Sequence, residues 1–239
     1  MDHNIDQQAP SPINTVLVTG SGRGLGLEFV RSWLARGASV IATARGPGDS
    51  EELEALHNEH RDRLRVLQLD VLDERSIELL PSGVGRTPID LLINNAGVLH
   101  VETLTSMDMA PILEQFRVNA LGALQVTCAL LSHLAEGARI VNITSRMGSL
   151  EENTSGGYYG YRMSYAALNM ATRGLAVDLK SRGITVVAMH PGVVQTDMTR
   201  GFGMLTAAES VAGMNEVIST LTLEQTGQFL HYQGSRLPW

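Results

Sequence analysis

The sequence predicts an α/β fold: one doubly wound parallel sheet of about seven strands with helices on both faces. Three observations carry this. Short apolar runs alternate with helix-period segments over nearly the whole chain. A glycine-rich string, Thr19 to Gly26, separates the first run from the first helix. No linker, repeat or low-complexity block divides the chain, so residues 14–239 read as a single domain behind a flexible tail, 1–13. Alternating strands and helices imply right-handed crossovers, and a ligand site beyond the carboxyl ends of the strands.

The elements follow in order. Thr15–Thr19 is a buried strand. Leu25–Arg36 has helical spacing and stops at Gly37. Ser39–Thr43 is the second strand, Glu51–Arg61 a polar helix and Arg65–Leu69 the third strand. Asp73–Leu80 reads as a short helix ended by Pro81, and Ile89–Ile93 as the fourth strand. Met107–Leu134 is one long helix or a broken pair, with Pro111 tolerable in a first turn. Arg139–Ile143 is the fifth strand, Gly160–Ser181 a helix ended by Gly183, and Ile184–Met189 the sixth strand. Ala207–Thr220 is a helix whose Thr206 and Glu209 stand at capping-box spacing, and Gly227–Tyr232 reads as the seventh strand.

Composition narrows the function. The chain has 239 residues, 44% hydrophobic, one Cys and a formal net charge of −7. One Cys excludes a disulfide scaffold and a cysteine zinc cluster. The acidic balance argues against nucleic-acid or polybasic membrane binding, and no apolar run is long enough to span a bilayer. The polar, Pro-containing start is unlike a signal peptide, which predicts a cytoplasmic location.

In the glycine string, Gly20, Gly24 and Gly26 allow a tight turn, close approach of backbone to phosphate and close helix–strand packing. The helix that follows offers unpaired N–H groups to a pyrophosphate. Ser21 and Leu25 belong to the same loop, and the absence of a following Lys-Ser/Thr disfavours a P-loop. The second strand ends in Arg45 rather than an acid. Arg45 and Arg23 suit a 2′-phosphate, so the predicted cofactor is NADP; two solvated surface arginines are the plain alternative.

Taken together, these residues resemble the classical short-chain dehydrogenase/reductase family, from about residue 14 to the end. Thr19–Gly26 matches TGxxxGxG, and Asp70-Val71 looks like the adenine contact. Asn94-Asn95-Ala96-Gly97 matches NNAG, Asn119 the helix asparagine and Ser145 the catalytic serine. Pro191-Gly192-Val193 with Thr196 matches the turn near the nicotinamide. More narrowly, residues 145–164 and the ending QGSRLPW are similar to the C-factor branch, which includes developmental signalling proteins and small carbonyl reductases. The resemblance implies reduction of a ketone or aldehyde by hydride transfer, with Tyr161 as proton donor, Ser145 as carbonyl anchor and Asn119 supporting a proton path through water.

One residue departs from the family pattern Tyr-x-x-x-Lys: Tyr165 stands where the lysine belongs, four residues after Tyr161. The i,i+4 spacing points both side chains into one site. Tyr158 and Arg162 offer a second framing. It is disfavoured because Ser164, Ala166, Ala167 and Leu168 fit the family only when Tyr161 leads. A neutral phenol cannot stabilise a phenolate as an ammonium does, so the Tyr161 pKa should stay high and ribose binding should weaken. Alcohol oxidation suffers more than carbonyl reduction, which begins from the neutral phenol. Three readings stay open: an inactivated reductase, a non-redox or signalling protein on the same scaffold, and an altered proton path.

Weaker signals have plain readings beside them. His57 and His60 have metal-like spacing but sit on a charged helix. His190 reads as a substrate contact or a structural histidine, and Cys128 as a core or interface thiol. Met147 and Met198 to Met204 fall where the family's pocket and lid lie. Met107–Leu134 and Gly160–Ser181 carry more apolar residues than one buried face needs; the resemblance implies that they pair in a homodimer or homotetramer, with plain sheet-packing helices as the alternative.

Overall fold

The computed structural model describes residues 11–46, 48 and 50–239. Seven strands form one parallel sheet: β1 (Thr15–Val18), β2 (Ser39–Ala44), β3 (Leu64–Gln68), β4 (Ile89–Asn94), β5 (Leu134–Ile143), β6 (Thr185–His190) and β7 (Phe229–His231). Their spatial order is β3-β2-β1-β4-β5-β6-β7. The chain therefore runs outward in one direction from β1 and then reverses at β4. That reversal opens a crevice beyond the carboxyl ends of β1 and β4, where the sequence places its glycine loop.

The core explains why the strands are apolar throughout. In β1, Val16 and Val18 pack on one face with Phe29, Trp33 and Leu34 of helix α1 (Gly24–Ala35) and Met214 and Ile218 of helix α7 (Ala207–Thr220). Leu17 points to the other face, with Ile77 and Leu80 of helix α3 (Glu74–Val84), Val126 of helix α5 (Ala123–Ala129) and Leu175 of helix α6 (Tyr159–Asp178). A strand covered on both sides has no polar face to display.

Four helices begin with side-chain caps, one of them the expected Thr206 box. Ser50 caps helix α2 (Glu51–Glu59), Asp73 caps α3, Asp108 caps helix α4 (Met109–Phe116), and Thr206 forms the anticipated box with Glu209 on α7. Helix α1 differs: Arg23 at its N-cap makes no side-chain cap and its first turn has no acidic residue.

Two expectations need correction. Pro81 lies inside α3 rather than ending it. It forfeits one helical donor, but the buried side chains of Leu80 and Val84 hold the next turn against the sheet, and the helix stops at Gly85, φ 69°. The stretch 107–134 takes the broken-pair form of its two readings, but its end differs. It begins at Met109, passes through a π-helical turn at Arg117–Gly122, ends at Ala129, and gives way to a fifth strand that starts at Leu134 instead of Arg139. Cys128 is exposed on α5, not in the core.

Candidate active site

The glycine loop is built by close contacts that only glycine permits. Gly20 has φ 68°, and a Cβ there would lie 3.0 Å from the Ala96 Cα. A Cβ on Gly26 would fall 2.1 Å from the Gly20 carbonyl oxygen. Helix α1 can therefore start hard against the loop. Thr19 Oγ1 accepts hydrogen bonds from the Asn95 and Ala96 backbone N–H groups at 2.9 and 3.1 Å. The Asn95 amide donates back to the Thr19 and Gly20 carbonyls at 2.9 and 3.1 Å. Ser21 is fully buried and donates to the Val18 carbonyl at 2.9 Å. The side chains of Ser21 and Asn95 thus shape the loop from within, and what faces the crevice is backbone. The uncapped N–H groups opening α1 suit a phosphate anion.

The two expected phosphate-binding arginines are differently placed. Arg45 is exposed just beyond β2. Arg23 is exposed too, but it pairs with Asp197 at 3.2 Å and so links the glycine loop to the segment after β6. In that segment Gly24 lies under Thr196: a Cβ on Gly24 would be 3.6 Å from the Thr196 methyl. Pro191 accepts a hydrogen bond from Ser210 Oγ, Gly192 has φ 84°, and the Val193 carbonyl accepts from the Met204 and Leu205 N–H groups. Beyond β3, Asp70 accepts from the Leu72 N–H at 2.9 Å, and Val71 packs against Gly122 of the π-helical turn.

That turn carries Asn119. Its Oδ1 accepts from the Val98 N–H at 2.8 Å, and its Nδ2 donates to the Val98 carbonyl and to Ser164 Oγ, each at 3.0 Å. Both amide donors are spent, so the side chain anchors the 95–98 loop to α6. Ser164, which sequence reasoning treated only as a framing residue, completes the link by donating to the Tyr161 carbonyl at 2.9 Å.

Ser145 ends the run out of β5 and caps a short 3-10 turn through Met147 N–H. The Tyr161 hydroxyl lies near enough to those of Ser145 and Tyr165 for both to oppose the rise in its pKa. Tyr165 is buried, its hydroxyl against Gly97 and its Cβ against Gly148. Burial raises the Tyr161 pKa above the ordinary phenol value, partly opposed by Ser145 and Tyr165. Burial, then the neighbouring Tyr161, raises that of Tyr165 well above it. The structure thus brings Ser145, Tyr161 and Tyr165 together, with Asn119 one contact away. Tyr158, in the left-handed region before α6 at φ 52°, is partly exposed and lines the same cavity as Ser145 and Tyr161, apart from the Tyr161–Tyr165 ring pair.

Ser145 and Tyr161 line a cavity of about 860 Å³ with His190 and with apolar walls from Leu99, Val101, Met147, Val194 and Phe202. Met198 joins this lining, as expected, while Met204 is exposed. His190 Nδ1 accepts from the Arg146 N–H at 3.3 Å, and burial holds its pKa down at about 4. Arg146 clasps Glu152, keeping that carboxyl below the usual range. His57 has a structural partner, the Leu64 carbonyl at 3.0 Å.

The family model for short chain dehydrogenase matches residues 14–204. The chain belongs to the short-chain dehydrogenase family. This short-chain dehydrogenase is 50% identical over 155 residues to the C-signal of Myxococcus xanthus, covering 64% of this chain and 93% of that protein. It is 34% identical over 233 residues to 1-hydroxy-2-glutathionyl-2-methyl-3-butene dehydrogenase of Rhodococcus sp. strain AD45, covering 95% and 100%. Among solved structures, NADPH-bound carbonyl reductase from chicken fatty liver superposes with a TM-score of 0.89 at 34% identity, covering 96% and 100%. Carbonyl reductase Sniffer of D. melanogaster gives 0.90 at 30%, covering 95% and 100%. These likenesses agree with the resemblance drawn from the motifs, including its C-factor and carbonyl reductase branch.

Proposed function

We propose that this short-chain dehydrogenase reduces a ketone or aldehyde with NADPH, Tyr161 being the proton donor. The observation that carries the reading is the meeting of Ser145 and Tyr161 in the wall of one cavity. The bound cofactor would supply a hydride to the carbonyl carbon. The uncapped N-terminus of α1 and the backbone of Gly22–Gly26 fit its pyrophosphate, with Asp70, Val71, Ala96, Gly97 and the Pro191–Thr196 segment around the rest. Arg45 and Arg23 fit a 2′-phosphate, Arg23 by exchanging its Asp197 partner for a more highly charged one.

The protein's own groups divide the remaining work. Ser145 hydrogen-bonds the substrate oxygen and orients it. Tyr161, kept neutral by burial, delivers its proton to that oxygen as negative charge develops. Asn119 fixes the 95–98 loop and, through Ser164, the helix that presents Tyr161. Tyr165 supplies a neutral hydroxyl where the family places a cation, so the proton leaves Tyr161 without electrostatic assistance and turnover is slow. Exposed Leu113 on α4 and Met170 and Val177 on α6 offer an apolar face to a second copy, and we assign a contact of the homodimer or homotetramer to it.

A second reading has one observation in its favour. Loss of the cation at Tyr165 would suit a cofactor-binding protein that acts by interaction or signalling without redox turnover. NADPH titration followed by a carbonyl panel, with the chain as it stands and with Tyr165→Lys, separates the two. NADPH binding with reduction that the substitution accelerates supports the reductase. Binding without reduction in either protein sinks it in favour of the second reading.

A further inference from the structure

The charge of the substrate cavity runs against that of the chain. The whole sequence carries a net −7. The cavity wall nevertheless holds Arg146, Arg162 and Arg200, and among the described residues its one carboxylate is Glu152. Arg146 consumes that carboxylate in a two-pronged pair. Arg162 donates only to neutral acceptors: the Gly157, Met147 and Gly156 carbonyls and Ser155 Oγ. Neither Arg162 nor Arg200 makes an ion pair among the described residues. His190 adds no charge near neutrality, because burial keeps it unprotonated.

Arg200 is the more telling of the two. It sits at φ 53°, in the left-handed region that favours glycine, and closes the short turn Asp197–Thr199 with its N–H on the Asp197 carbonyl. A branchless residue would serve that turn better. The place is instead taken by a long cation on the cavity wall, beside the apolar side chains of Met198 and Phe202. Two guanidiniums without carboxylate partners, next to an apolar lining, fit an amphipathic anion whose carboxylate meets the planar fork of an arginine.

We propose that the substrate is an oxo acid, with its carbonyl at Ser145 and Tyr161, an apolar spacer along the cavity and a carboxylate held by the fork of Arg200, with the charge of Arg162 beside it. The proposal rests on the reductase reading and narrows it. The carbonyl carbon gains a hydride from NADPH, its oxygen gains the Tyr161 proton, and a hydroxy acid leaves with NADP⁺ formed and the phenolate reprotonated from solvent.

The test compares benzoylpropionate and benzoylbutyrate with their methyl esters, which keep the carbonyl and spacer but lose the charge. The expected result is a kcat/KM for the better acid about tenfold above its ester. The ratio should fall towards one in Arg200→Gly, a substitution the left-handed turn accommodates, and in high salt. Esters reduced as well as acids, or a ratio untouched by Arg200→Gly, would overturn the proposal. Calorimetric binding of the same compounds separates its failure from that of the reductase reading. Acid binding above ester binding without turnover upholds the anion site and rejects the reductase. Binding of neither compound rejects the oxo acid outright, whatever other carbonyls are reduced.

Discussion

The rings of Tyr161 and Tyr165 meet edge to face, with centroids 4.7 Å apart and planes at 79°. One turn of α6 therefore places a second phenol against the proposed proton donor, where a lysine would reach past it. The contact is favourable for packing and unfavourable for ionisation, since each ring helps keep the other dry. Replacing Tyr165 by lysine should lower the Tyr161 pKa and raise kcat/KM for reduction by roughly tenfold to a hundredfold, within the range general acid–base tuning provides. Steady-state kinetics in both directions checks this. A variant that binds NADPH normally yet reduces more slowly would make Tyr165 a working part of the proton path.

The same burial sets a pH signature. Both phenols titrate above the ordinary value near 10, so reduction should be flat from about pH 6 to 9, and alcohol oxidation should climb without a plateau below about pH 10. The linkage has a definite sign. The folded state holds these protons more tightly than the unfolded state. Their contribution to stability is fully present below the unfolded pKa and is lost as pH rises through the folded values. Paired rate and melting profiles test both statements; an oxidation plateau near neutrality would contradict the first.

His190 contributes at the other end of the scale. Held at about 4 in the folded state against an ordinary 6.5, it leaves the unfolded chain binding more protons between those values. Stability should therefore fall as pH drops from about 6.5 towards 4, by up to roughly 3 kcal/mol from this group. Urea titrations of wild type and His190→Asn over that range measure it. Parallel curves for the two proteins would show that the acid sensitivity lies elsewhere.

Glu102 is 4% exposed and hydrogen-bonds both the Gln115 amide and the Gly160 N–H, the latter at 3.2 Å. It satisfies a donor in the first turn of α6, where Tyr158 provides no side-chain cap. Glu102→Ala should cost about 1–3 kcal/mol, by leaving Gln115 and Gly160 without their acceptor. Chemical denaturation decides the matter, and a change under about 0.5 kcal/mol, the scale of a neutral surface substitution, would refute this capping role.

What the sequence made legible was local. The glycine loop, the strand ends and the Thr206–Glu209 cap each depend on a few consecutive residues whose backbone demands are written in their types. The π-helical turn was not legible, because Arg117–Gly122 has the composition of ordinary helix and only its backbone hydrogen-bond pattern distinguishes it. The pairing of Arg23 with Asp197 joins residues 174 apart, and Glu102 meets Gly160 across 58, so no periodicity announces either. Asn119 was recognised by position, but its saturation by Val98 and Ser164 required three segments to be in place at once.

The stitching of Thr19 to Asn95 also bears on the order in which the chain acquires its site. The glycine loop leaves the ribosome 76 residues ahead of the amide that holds its carbonyls. Until β4 has docked beside β1, Gly20 and Gly26 have neither the neighbour that fixes them nor the strand that aligns them. Pairing at such sequence separation is slow, because the intervening chain must first surrender its freedom. A nascent chain that stops short of β4 would thus carry the whole glycine loop without the contacts that shape it, which makes cofactor capture a reporter of completed folding.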